Sequence, residues 1–220
     1  RKWVGMSSSN INTCVAANVY VAANVCVAIT GASGSPYAMR LIEVLLKSGC
    51  TVSVIISKAA QLVMATETEF KIPGQVRGQA EYLREHFQAN EDQLKVYGRE
   101  DWMSPWASGS GRNGAMIICP CSTGTLSAVA TGASNNLIER AADVALKERR
   151  QLILVPRETP FSTLHLQNML TLSQMGAVIL PASPGFYRQP ENIEDLVDFV
   201  VARILNQLSI EHDLLPRWGE

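Results

Sequence analysis

The stretch V-C-V-A-I-T-G-A-S-G-S-P-Y-A-M-R-L-I-E-V-L-L-K-S-G, Val25 to Gly49, carries the pattern that decides the fold. Val25 to Thr30 is an apolar, β-branched run and predicts a buried strand. The turn Gly31 to Pro36 follows, and Pro36 suits the first turn of a helix, where its missing N–H costs little. Tyr37, Leu41, Val44 and Leu45 then recur at helical spacing to about Lys47, and Ser48-Gly49 ends the helix. A second strand, Thr51 to Ser57, starts at once. The unit is strand, helix, strand, the crossover that parallel strands need.

The alternation continues outward. Lys58 to Thr66 reads as a helix, residues 71–95 as a polar helix with surface connections, and Val96-Tyr97 as a short strand. Asp101 to Asn113 has no periodicity and reads as a loop that Trp102 and Trp106 anchor or that covers a site. Strands are expected at Ala115 to Cys119, Gln151 to Val155 and Ala177 to Leu180. Helices are expected at Ser122 to Thr131, Asn136 to Arg149 and Phe161 to Met175. Leu137, Ala141, Val144 and Ala145 mark one face of the second of these. Asn192 caps a last helix with Glu194 and Asp195 in its first turn. Ile193, Leu196, Val197, Val200, Val201, Ile204, Leu205 and Leu208 give it a wide apolar stripe. Short apolar strands alternating with helices define an α/β protein: one doubly wound, flavodoxin/Rossmann-like parallel sheet with helices on both faces.

Size and charge narrow the function. At 220 residues and 47% hydrophobic, the chain suits one domain with a substantial core. A net charge of -1 calls for neither nucleic acid nor an anionic membrane surface. No apolar run reaches the ~18–20 residues of a membrane helix. The five cysteines, Cys14, Cys26, Cys50, Cys119 and Cys121, are odd in number, and three lie in or beside apolar runs, which fits a reduced, cytoplasmic protein. Cys119-Pro-Cys121 is C-x-C with no second pair nearby, so neither a zinc site nor a redox pair is expected. Residues 1–23, with the near repeat A-A-N-V, read as an extension of low order, and its first five residues as a non-native leader. It lacks the layout of a signal peptide. The domain itself is expected over residues 24–220.

Three turns fall at the carboxyl edge of the sheet, where ligands bind in open α/β folds. Gly31-Ala32-Ser33-Gly34 is either a phosphate cradle at a helix start or a tight connection. It is not G-x-G-x-x-G, and no acidic residue ends the second strand, so the NAD fingerprint is incomplete. Ser57 is either an N-cap or a ligand contact. Ser122-Thr123-Gly124-Thr125 is again either a cap or a phosphate site. Three such turns at one edge favour a nucleotide or flavin phosphate. To the same edge the run P-R-E-T-P (Pro156–Pro160) brings Arg157, a phosphate ligand by type, and Glu158, a proton carrier by type. A surface ion pair is the other reading of these two. Tyr187 and Arg203 are further candidates for phosphate, and Trp218 for a lid.

The run C-P-C-S-T-G-T-L-S-A-V-A-T-G-A-S-N-N-L-I-E-R-A-A-D-V-A-L-K-E-R-R (Cys119–Arg150) and L-V-P-R-E-T-P-F-S resemble the flavin prenyltransferases of the UbiX type. So do T-G-A-S-G, I-S-K-A-A-Q, L-P-A-S-P-G-F-Y and L-P-R-W-G. The similarity spans about Val25 to Glu220. It implies FMN held by Gly31, Ala32, Ser33, Ser57, Ser122, Thr123, Gly124, Thr125 and Arg157. It implies dimethylallyl phosphate as second substrate, with Tyr187, Arg203, Arg140 and Lys147 as its ligands. Ser33, Glu67, Glu158 and Trp218 match catalytic or site-lining positions. The implied reaction joins a dimethylallyl group to N5 and C6 of reduced FMN without a metal. The prenylated FMN then serves a UbiD-type decarboxylase, in ubiquinone biosynthesis in many bacteria. The family forms dodecamers with the flavin at subunit interfaces, so a homo-oligomer is expected. Two alternatives remain. The cysteine-decarboxylating flavoproteins use an early catalytic His and a P-x-M-N-x-x-M-W clamp; here the early His is His86, and the clamp is missing. A flavin carrier would bind FMN and make no product.

Overall fold

β1 (Asn24–Ile29) lies inside a six-stranded sheet, between β2 (Thr51–Ile56) and β4 (Ala115–Cys121). β3 (Leu94–Tyr97) flanks β2, while β5 (Leu152–Pro156) and the edge strand β6 (Val178–Ile179) extend the other side. Every neighbouring pair is parallel. The structure, a computed structural model, describes residues 24–111 and 114–215. The expected extension 1–23, Cys14 within it, and Trp218 lie outside the described residues.

Strand residues alternate between two apolar layers. Val25, Val27, Ile29, Val52, Val54, Ile117 and Val155 face α1 (Ser35–Lys47), α2 (Lys58–Glu67), α3 (Val76–Phe87) and α7 (Ile193–Gln207). Cys26, Ala28, Met116, Ile118, Leu152 and Leu154 face α4 (Thr123–Ala130), α5 (Leu137–Lys147) and α6 (Thr163–Gln174). Burial on both faces is why these strands read as unbroken apolar runs. Leu41, Ile42 and Leu45 of α1 are fully buried, and each such side chain contributes roughly 1.5–3 kcal/mol of transfer free energy.

The strand order 3-2-1-4-5-6 is that of the doubly wound nucleotide-binding folds. The chain leaves β1 toward one side of the sheet and returns beyond it at β4, which opens a crevice at their carboxyl ends. Thr30 ties the two ends together. Its hydroxyl donates to the Pro120 carbonyl at 2.8 Å and accepts from the Ser122 N–H at 2.8 Å.

Several sequence boundaries shift. β4 runs past Pro120 to Cys121, because pairing resumes between Cys121 and Pro156 after a register shift. β6 is two residues long rather than four. In α7 the stripe starts late: Ile193 is 72% exposed, since residues 191–195 are all on the surface and this first turn passes beyond the core. Of the two loop tryptophans, Trp106 is the anchor, buried on a short 3-10 turn (Pro105–Ala107), while Trp102 is 46% exposed. Cys26, Cys50, Cys119 and Cys121 are buried free thiols. Burial raises all four, Cys121 to about 12, so they stay protonated and act as small apolar residues. No helix among the described residues is long and apolar enough to cross a membrane.

Candidate active site

The three sequence turns meet in one cavity of about 310 Å³ at the carboxyl edge. Gly31 comes from the exit of β1, Ser57 from β2, and Ser122, Gly124 and Thr125 from β4. The volume lies at the low end for small-molecule sites, enough for a phosphate and the chain behind it. Asn136, Ile138 and Glu139, at the start of α5, close one wall.

Both serines are helix caps, as one reading of the sequence had it. The Ser57 hydroxyl accepts from the Ala60 N–H at 3.0 Å. The Ser122 hydroxyl accepts from the Thr125 N–H at 3.3 Å and donates to the Thr125 hydroxyl at 3.0 Å. Capping satisfies only one of the free N–H groups at each helix start. The remaining donors of α2 and α4 lie at the mouth of the same cavity, with the positive ends of both helix dipoles. The glycines differ in purpose. A Cβ at Gly31 would stand 2.5 Å from the Ala59 Cβ, so this glycine permits close packing on α2. A Cβ at Gly124 would meet nothing within 4 Å, so packing does not require a glycine there. Open space over Gly124 on a cavity wall with hydroxyls and helix N-termini fits an anionic flavin phosphate. Ala32 and Thr123 stand on the same turns but not on the cavity wall. Among the described residues no group of three or more His, Cys, Asp and Glu converges.

Arg157 does not line this cavity. Its Nε donates to the Ser33 carbonyl at 3.2 Å, and its backbone N–H reaches the Cys121 carbonyl at 3.4 Å. It therefore fastens β5 to the turn after β1. Glu158 accepts from the Thr159 N–H at 3.1 Å, and no ion pair joins it to Arg157. The surface-pair reading of the two residues is thereby removed.

Glu67, at the end of α2, caps α1 from outside. The cap residue Gly34 has a positive φ of 117° and no side chain to offer. The Glu67 carboxylate accepts from the Gly34 N–H at 3.0 Å, the Ser35 N–H at 3.2 Å and the Ser35 hydroxyl at 2.9 Å. Burial pushes this carboxyl up, but hydrogen bonds from Ser33, Gly34 and Ser35 outweigh it and hold the group below the usual carboxylate range. Glu67 is thus ionised beside Ser33.

The remaining candidates stand apart from the cavity. Arg140 donates to the Ala107 carbonyl at 3.0 Å and pairs with Asp143 at 2.8 Å. Lys147 pairs with Glu148 at the far end of α5, roughly 12 Å along the helix from Glu139. Within one chain neither reaches the three turns. Tyr187, 58% exposed, packs edge-on against Phe199, and Arg203 follows one turn later on α7 beside a separate hollow. Sequence reasoning missed Thr30, Asn136, Glu139 and Arg99. The cavity wall includes Arg99, which leaves the carboxyl end of β3. The faint signal was its place just after a short strand, V-Y-G-R.

A doubly wound sheet with an anion cavity at its switch point defines a nucleotide- or flavin-binding protein. The flavoprotein family model matches residues 17–205. The chain is 64% identical over 193 residues to the flavin prenyltransferase UbiX of Pseudomonas aeruginosa, covering 88% of this chain and 92% of that one. It superimposes with a TM-score of 0.80 on a crystal structure of AnUbiX (PadA1) in complex with FMN and dimethylallyl pyrophosphate. That match is 36% identical and covers 90% and 97% of the two chains. A dodecameric FMN-dependent UbiX-like decarboxylase from Escherichia coli O157:H7 gives 0.78 at 38% identity, over 90% and 100%. The chain belongs to the flavoprotein family, and within it to the flavin prenyltransferases of the UbiX type.

Proposed function

We propose that this protein binds FMN at the β1/β4 crevice and transfers a dimethylallyl group from dimethylallyl phosphate to N5 and C6 of the reduced flavin. The observation that carries the reading is the cavity shared by Gly31, Ser57, Ser122, Gly124 and Thr125, with two helix N-termini at its mouth. It accounts for the phosphate of FMN, and membership of the family accounts for the chemistry. The reduced flavin supplies the electron-rich nitrogen and carbon that the prenyl group joins.

The residues divide the remaining work. Arg157 holds the turn that carries Ser33. Ser33 can place a proton at N5, oriented by Glu67, which is ionised at neutral pH and accepts a hydrogen bond from the Ser33 side chain. Glu158, at the strand end beyond Arg157, hands a proton to the departing phosphate. Tyr187 and Arg203 supply donors for that phosphate, and Trp218 shields the reacting carbon from water. Arg140 and Lys147 belong to the same task, presented by a neighbouring copy, since their own chain holds them away from the cavity. This makes the working form a homo-oligomer, and a dodecamer by likeness to the Escherichia coli protein. Leu164, Leu166 and Leu170 on α6 are more than half exposed in the single chain and offer apolar surface for such contacts. The product is handed to a UbiD-type decarboxylase, in ubiquinone biosynthesis, and the buried free thiols suit the reducing cytoplasm.

The test is Glu158→Gln in the purified protein. Unchanged FMN binding with a large loss of prenylated product supports the assignment. Unchanged turnover removes Glu158 from the mechanism.

A further inference from the structure

We propose that Arg99 is the guanidinium that neutralises the phosphate of the bound flavin, a task that the sequence assigned to Arg157. The inference rests on FMN as the bound flavin. Three observations carry it. Arg99 lies on the wall of the 310 Å³ cavity, which it shares with Ser57, Ser122 and Thr125. Its Nε is buried and has no hydrogen-bond partner among the described residues, and no ion pair there includes it. A buried, charged N–H without an acceptor is expensive, and its retention points to an acceptor that the protein chain does not supply.

The third observation is the charge of the wall. Arg99 and Lys58 are its cations, and Glu139 is its carboxylate. Glu139 is already engaged: it accepts from the Asn135 N–H at 2.8 Å and the Asn136 amide at 2.7 Å. The wall therefore carries a net positive charge, and with the two helix N-termini it attracts a phosphate monoester, which carries close to two negative charges at neutral pH. Arg157, by contrast, spends its Nε on the Ser33 carbonyl and is not on this wall. The backbone makes Arg99 a rigid mount, because its carbonyl accepts from the Leu137 N–H at 2.7 Å and so fixes the exit of β3 to the start of α5. A planar guanidinium held in this way can give two parallel hydrogen bonds to phosphate oxygens.

The test compares the affinity of FMN with that of riboflavin, which lacks the phosphate, by flavin fluorescence on the intact protein, Arg99→Gln and Arg99→Lys. In Arg99→Gln, FMN is expected to weaken about 10- to 100-fold, as for the loss of a charge-assisted hydrogen bond. Riboflavin is expected to bind as before. Arg99→Lys keeps the charge, loses the fork and is expected to fall between. Equal weakening of FMN and riboflavin in Arg99→Gln would show a structural role and overturn the proposal. So would an unchanged FMN affinity in a folded variant. If the unaltered protein failed to bind FMN, the reading of the cofactor itself would fall first, which separates the two failures.

Discussion

Glu67 ties the cap of α1 to the end of α2, and its removal has a calculable effect. In Glu67→Ala, α1 loses its only side-chain cap among the described residues, together with a carboxylate at its positive end. A cap contributes roughly 0.5–2 kcal/mol, and a carboxylate at an exposed helix start about 0.3–1 kcal/mol. Glu67 is exposed enough for water to replace part of this, so a total of about 1–1.5 kcal/mol is reasonable. At roughly 2–4 °C per kcal/mol for a chain of this size, the thermal midpoint should fall by about 2–6 °C. Glu67→Gln keeps one carbonyl acceptor and should lose about half as much.

The pH dependence separates the charge from the contact. The folded carboxyl lies below its unfolded value, so its contribution is present above about pH 4.5 and is lost as pH falls through the folded value. The gap between the unaltered protein and Glu67→Gln should therefore narrow as the pH is lowered from neutral to below 4.5. Thermal unfolding followed by circular dichroism across that range reads both effects. An unchanged midpoint in Glu67→Ala at neutral pH, or a gap that stays constant with pH, would refute the reasoning.

The other substitutions probe the site. Gly124→Val puts a side chain into space that the protein leaves open; the thermal midpoint should stay within a few degrees while FMN binding is lost, as equilibrium dialysis would show. Gly31→Ala drives a Cβ against Ala59 and should destabilise by about 1–3 kcal/mol in denaturant unfolding. Glu158→Gln should retain FMN and slow product formation about 10²- to 10⁴-fold, the usual range for a lost general acid or base.

The fold was legible because β1, β2, β4 and β5 are buried on both faces and therefore spell continuous apolar runs, with helix punctuation at Pro36, Gly49 and Gly176. The three hydroxyl and glycine turns were legible for the same reason: a strand end fixes which edge a turn occupies. What stayed hidden depends on pairing order and side-chain reach. Nothing in the spacing of V-Y-G-R shows that β3 lies beside β2, and without that neighbour Arg99 has no reason to share a cavity with Ser57. Arg157 was placed at the right edge, but its guanidinium turns to the Ser33 carbonyl, a contact across 124 residues that no local pattern encodes. Pro120 marked a strand end by rule, yet the bulge lets pairing resume after it. Arg140 and Lys147 are held by Ala107, Asp143 and Glu148 of their own chain, so one chain does not bring them to the three turns.

The central claim is that this chain makes a carbon–nitrogen and a carbon–carbon bond to reduced FMN. The direct measurement is the mass of the flavin recovered after anaerobic incubation of the purified protein with reduced FMN and dimethylallyl phosphate, with no metal added. The account predicts a flavin heavier by one five-carbon prenyl unit and an equal amount of released phosphate. Recovery of unmodified FMN alone, from folded protein that binds it, would contradict the claim and leave a flavin carrier.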